Sequence, residues 1–107
     1  MVGLMADGSI AIGVTLRQRD RQYGSFNSCA DVSQKIKAAM RLGHNWGYLD
    51  GDMREALEMI ATKVARILNG NADIPDHWHD IAGYARLVEE RLVREAGEAE
   101  VDPDEVD

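Results

Sequence analysis

Apolar positions recur at helical spacing in three stretches of this chain. The clearest is Met53, Ala56, Leu57, Ile60, Val64, Ile67 and Leu68, which make one stripe of an amphipathic helix. The pattern predicts that this helix opens on Asp52 as N-cap, with Glu55 completing a capping box, and that Asn69-Gly70 ends it. A helix upstream is predicted from about Cys29 to Leu42, on Ala30, Val32, Ile36, Ala39 and Met40. Ser28 and Asp31 have capping-box spacing in front of it, and Gly43 is the expected terminator. Downstream, Trp78, Ile81, Ala82, Ala85, Val88 and Leu92 predict a helix that begins near Asp73 or Ile74 and fades near Ala96. Pro75 falls in its first turn, where a missing N–H costs little. Glu90 and Arg94 are an expected i,i+4 pair on its outer side. A shorter helix is predicted over residues 15–22, with Thr15 as N-cap and Gly24 as the stop.

Between and before these helices the pattern changes. Residues 1–13 mix glycine, alanine and short aliphatics without a period, and read as an arm, with order against a partner subunit left open. The loop from Gly43 to Gly51 carries Trp46 and Tyr48 and is expected to fold back onto the body. No segment alternates apolar and polar residues for long enough to make a strand. Gly83 sits inside the last helix, where glycine costs roughly 1 kcal/mol against alanine. Close approach of a neighbouring helix is the expected reason, with room for a ligand as the other reading. The predicted fold is all-α: a small helical bundle of three main helices and a short N-terminal one. Such a bundle has a thin core, and pairing into a homodimer or homotetramer would bury more of each stripe.

Length and composition agree with one domain. The chain has 107 residues, 45% of them apolar, and a chain of that size buries only a modest share of its surface alone. Its net charge of −7 is uneven. Residues 97–107 hold six acids and no base, and read as a disordered acidic tail after a helical domain over 1–96. The body is close to neutral, so it lacks the basic footprint of a nucleic-acid binder, and the loop between the two best helices has no recognition-helix signature. Nucleic acid is therefore not an expected partner. One cysteine, Cys29, excludes an internal disulfide and fits a reducing compartment. The N-terminus lacks the charged and long apolar regions of a signal peptide, and no apolar run reaches the ~18 residues of a membrane span. A cytoplasmic protein with no membrane partner is expected.

Two constellations could carry chemistry. Glu55-x-x-Glu58 places two carboxylates one helical turn apart, on a shared side beside the apolar stripe. Asp76-His77-Trp78-His79-Asp80 opens the last helix. Mg²⁺ or Mn²⁺ takes oxygen ligands and can bridge carboxylates to phosphate, so Glu55, Glu58, Asp76 and Asp80 are the candidate metal ligands. Glu58 lies early in its helix, so a meeting with Asp80 could require crossed packing or a second subunit. Lys63 and Arg66 follow on the same helix and are candidates for phosphate contact. Each residue also has a plain structural explanation. Glu55 is a capping residue, Asp76 suits a helix N-terminus, and Lys63 and Arg66 can lie on a solvated face or pair with nearby acids. Tyr23 and Phe26 could stack on a base or simply pack. Arg17, Arg19 and Arg21 could reach an anion, although solvated arginines are commoner. His77 and His79 lack a third nitrogen or sulfur ligand at zinc spacing. No nucleophilic-serine motif, phosphate-cradling loop or dinucleotide fingerprint is present.

Three pieces of the chain, in order, resemble a group of small phage and prophage proteins: Tyr23-Gly24-Ser25-Phe26, then Lys63-x-x-Arg66-Ile67-Leu68-Asn69-Gly70, then Trp78-x-Asp80-Ile81-Ala82-Gly83-Tyr84-Ala85. The resemblance spans about residues 15–93. That group in turn looks like the MazG-like all-α nucleoside triphosphate pyrophosphatases, whose Glu-x-x-Glu and Glu-x-x-Asp motifs hold Mg²⁺. Glu55 and Glu58 match the first motif; of the second only Asp80 matches, with His77 in place of the glutamate. The resemblance implies Mg²⁺-dependent nucleotide hydrolysis by a helical oligomer. Glu58, Asp80 and His77 would be catalytic, and Lys63, Arg66 and Tyr23 would bind substrate. The missing glutamate motivates a second expectation, a non-catalytic helical oligomer that acts as a protein–protein interaction module, with the acidic tail as its contact or merely a solubilising segment.

Overall fold

A computed structural model of the chain describes residues 25–100. The short helix expected at 15–22, the arm before it and Tyr23 lie outside the described residues, as do residues 101–107. Within them the chain forms three helices: α1 (Phe26–Met40), α2 (Gly51–Asn69) and α3 (Pro75–Glu100). A turn of 3₁₀ helix, Trp46–Tyr48, lies between the first two. There is no strand among the described residues. The all-α reading holds, and the differences lie at the helix ends.

α1 starts earlier than its apolar period suggests. Ser25 takes the N-cap in an extended conformation, and its hydroxyl accepts from the Ser28 N–H at 3.1 Å. Ser28 is thus a donor in the first turn and not the cap. Asp31 pairs with Lys35 at 3.0 Å one turn on, a contact set by helical spacing alone. The helix tightens at its end, where the N–H groups of Leu42 and Gly43 donate to Ala39 and Met40. Further such bonds carry the chain through the 3₁₀ turn. Trp46 is half-buried there, whereas Tyr48 is 87% exposed, so the loop folds back through one of its two aromatics.

α2 opens on Asp50, not Asp52. Asp50 has extended backbone and Asp52 lies in the first turn. Their carboxylates reach across to α3. Arg91 donates from Nε to one oxygen of Asp52 at 2.6 Å and from a terminal nitrogen to the other at 2.8 Å. It also donates to Asp50 at 2.9 Å, and to Glu95 on its own helix at 2.7 Å. Two acids at a helix N-terminus suit the dipole, and the arginine fork matches a carboxylate face. α2 ends at Asn69 as expected, with the Gly70 N–H closing on Arg66.

A short turn returns the chain antiparallel. The Asn71 side chain accepts from the Asp73 N–H at 2.9 Å, and the Trp78 indole donates to the Ala72 carbonyl at 2.8 Å. Pro75 then begins α3, as predicted. This helix runs to Glu100, past the expected end at Ala96 and into the acidic segment. Arg86 pairs with Glu90 at 2.9 Å, in place of the Glu90–Arg94 pair expected.

α2 packs against α1 on one side and α3 on the other. Glu58 points to α1, where it meets Arg41 at 3.8 Å; Ala61 and Ala65 follow at i+3 and i+7 on that side. Asp52, Ala56 and Lys63 mark the side that meets α3. Five residues separate Glu58 from Lys63, about 140° around a helix, so the two packed sides are far apart. Ala56, Ala61 and Ala65 are the buried apolar residues among those described, at 7%, 2% and 0% exposure. Small side chains let helices approach closely, but they bury little area.

Gly83 meets nothing. A Cβ built there would have no neighbour within 4 Å, so close helix approach is not its reason. Replacing it with alanine should stabilise the fold by about 1 kcal/mol through helix propensity. Urea denaturation of Gly83→Ala measures this, and an unchanged or lower midpoint would show that the position is covered by something else.

Candidate functional site

The two acidic motifs are placed by the same helices. Lys63 on α2 and Asp80 on α3 form an ion pair at 2.8 Å. The lysine side chain is 13% exposed and the aspartate 40%, so the pair sits at the edge of the α2–α3 contact with its carboxylate open to water. Its position follows from register. Eleven residues separate Asp52 from Lys63, and eleven separate Asp80 from Arg91. The Arg91–Asp52 and Lys63–Asp80 contacts are therefore two points on one antiparallel ladder, about 16 Å apart along the helices.

That register keeps Glu58 from Asp80 within one chain. Along the ladder the position opposite Glu58 is Ala85, and the glutamate itself turns toward α1 and Arg41. Glu55 is exposed on α2, and Asp76 is exposed in the first turn of α3. Among the described residues no group of three or more histidine, cysteine, aspartate or glutamate side chains is placed to hold a metal ion. Any site uniting Glu58 with Asp80 would need a second copy of the chain.

His77 departs most from its neighbours. It is 2% exposed, the largest fully buried side chain among those described, while His79 is exposed. Its backbone N–H closes the first turn of α3 on Ile74. Arg66 is half-buried on α2.

Sequence reasoning missed Arg91 and Arg41. Each finds a partner on another helix; the i,i+4 spacing of Arg91 to Glu95 marks a pair within α3 but not the one across the hairpin. The pairing of Lys63 with an acid was one of the two plain readings of that residue.

The Lys63 hydrogen bond holds the Asp80 carboxyl below the ordinary carboxylate range. Partial burial opposes it, and the charge of Lys63, then of His79 and His77, adds to the lowering. In the same way the Arg91 hydrogen bond lowers Asp52.

Among the described residues, two open grooves flank these contacts. One, of about 390 Å³, runs along α3 and is lined by His79, Asp80, Gly83, Tyr84, Arg86, Leu87 and Glu90. The other, of about 280 Å³, lies between α2 and α3 and is nearly all apolar: Leu49, Met53, Ala56, Leu57, Ile60, Ala85 and Val88. The first four residues of the stripe expected to face the core from α2, Met53, Ala56, Leu57 and Ile60, thus line a groove. Leu57 is 42% exposed, and on α3 Leu87 and Val93 are each 65% exposed. No helix among the described residues is long and apolar enough to cross a membrane.

No family model matches this chain, and neither a curated protein nor a solved structure matches it.

The lowered carboxylates have a consequence for acid stability. A depressed folded-state value means that ionised Asp80 contributes stability above its unfolded value, and that the contribution is lost as pH falls through the folded value. Wild type should therefore lose stability below about pH 4, and Lys63→Met should lose less over the same interval. Urea midpoints across that range test this; parallel curves would show that the pair contributes nothing.

Proposed function

We propose that this protein works as a self-associating helical module, a non-catalytic homo-oligomer whose apolar α2–α3 groove is its contact surface. One observation carries the reading: among the described residues the buried apolar side chains are three alanines, while Met53, Leu57, Ile60 and Val88 line an open groove. A contiguous apolar surface of this kind is costly to leave in water and is a common mark of an interface. A symmetric dimer would cover the groove of each copy with the same surface of the other. The two long pairing helices would supply rigid walls, and the acids and bases at the rim would set orientation more than strength.

Sedimentation equilibrium of the full chain tests this. The expected mass is a multiple of the 11.9 kDa protomer, falling to the protomer in Leu57→Glu with helical content kept. A wild-type protomer at all concentrations would overturn the proposal. Leu57 is a suitable target because its partial exposure lets a polar side chain reach water in the free chain.

A second reading is Mg²⁺-dependent hydrolysis of a nucleoside triphosphate. It is favoured by the solvent access that Glu58 and Asp80 keep, at 33% and 40% side-chain exposure, beside the exposed Glu55. In this reading the metal ligands come from two copies, with Lys63 and Arg66 near the phosphates. Metal would polarise the phosphoryl group and activate water. A nucleotide that binds the folded state should raise the thermal midpoint only with Mg²⁺ or Mn²⁺ present. Asp80→Asn and Glu58→Gln should each abolish that shift. No shift with any metal and nucleotide would remove this reading and leave the first standing.

A further inference from the structure

The end of α2 contains a reactive pair of residues that neither functional reading uses. In Asn69-Gly70 the glycine has no side chain to hinder its backbone nitrogen from attacking the neighbouring amide. We propose that Asn69 is a site of spontaneous deamidation, and that the helix end holds the reaction off until its last turn opens.

Both reacting groups are engaged in the folded chain. The Asn69 Nδ2 donates to the Ala65 carbonyl at 2.7 Å. The Gly70 N–H donates to the Arg66 carbonyl at 2.9 Å. For reaction, the Gly70 nitrogen must give its proton to a base in solvent and bond to Asn69 Cγ. The Cγ–Nδ2 bond then breaks, ammonia leaves with the proton it needs, and a cyclic imide remains. Water opens the imide at one of its two carbonyls. Opening at Cγ gives aspartate, and opening at the main-chain carbonyl gives isoaspartate. No oxidant or enzyme is required. Neither step can begin while the Gly70 N–H is tied to Arg66 and the side-chain amide to Ala65. The folded rate therefore scales with the population of chains in which this turn is open.

The products act on the hairpin. Aspartate at 69 sets a negative charge at the C-terminal end of α2, the negative end of the helix dipole. It also removes the donor that meets the Ala65 carbonyl. Isoaspartate routes the main chain through Cγ and lengthens it where Gly70 must meet Arg66. The turn held by Asn71 and by the Trp78–Ala72 bond follows directly, so the modification loosens the link that sets α2 against α3.

The test is to incubate the full-length protein in mildly alkaline buffer, with and without unfolding urea, and follow the mass of the peptide between Arg66 and Arg86. Product is expected in urea and at a rate roughly tenfold or more lower in the native protein, rising with urea below the unfolding transition. Equal rates in the two conditions would overturn the protective role of the helix end. No product in urea would overturn the site itself. The native protein once deamidated, separated by charge, should unfold at lower urea, as should Asn69→Asp. An unchanged midpoint in both would overturn the effect on the hairpin.

Discussion

Arg91 holds the α2–α3 hairpin in place, and the remaining geometry follows from where it grips. Its guanidinium meets Asp50 and Asp52 at the start of α2 and Glu95 one turn along α3. A fork against two carboxylates is directional in a way that apolar contacts are not. The arginine is held more firmly protonated by the Asp52 bond, and Asp52 more firmly ionised by the arginine. Sliding α3 by one residue would turn Arg91 away from both acids, and would also separate Lys63 from Asp80. Two polar contacts three turns apart thus specify one register for a contact whose apolar part is too small to be selective.

With the register set, the sides of α2 are assigned. One side takes α1 through Glu58, Ala61 and Ala65; another takes α3 through Asp52, Ala56 and Lys63. The residues between these sides, Met53, Leu57 and Ile60, are left to the groove. Alanines bring the helices close, and larger side chains that might have filled a core line an open face instead. This distribution is the ground for proposing association in preference to a metal centre built within one protomer. Two of the acids that would make such a centre, Glu58 and Asp80, are turned to different neighbours, Arg41 and Lys63.

Much of the fold was legible in the chain. The α2 stripe, the Asn69-Gly70 stop and Pro75 at the start of α3 all act through neighbours within one or two turns, so their outcome is written locally. Where local signals compete, reading them fails. Ser25 and Ser28 both have cap chemistry, and Ser25 takes the cap because its hydroxyl meets the Ser28 N–H. Asp52 has cap spacing, but Arg91 claims its carboxylate from across the hairpin. Arg86 has a partner one turn on in Glu90, as Glu90 also has in Arg94, and the first pair forms. Gly83 looked like a contact residue and faces open space. The candidate acids were findable as residues, but their separation was not, because it depends on which helix each one faces.

By itself the sequence determined that the chain is helical, where its helices change over, and which residue types could bind metal or phosphate. These properties rest on backbone propensity and on periodicity, which act over a few residues. Only the tertiary structure decided that Asp80 meets Lys63, that Asp50 and Asp52 meet Arg91, that His77 is enclosed, and that the first half of the α2 stripe lines a groove. Those outcomes depend on the rotation and register of one helix against another. The ion pairs among them join residues 17 to 41 positions apart, and no local pattern encodes a contact at that distance.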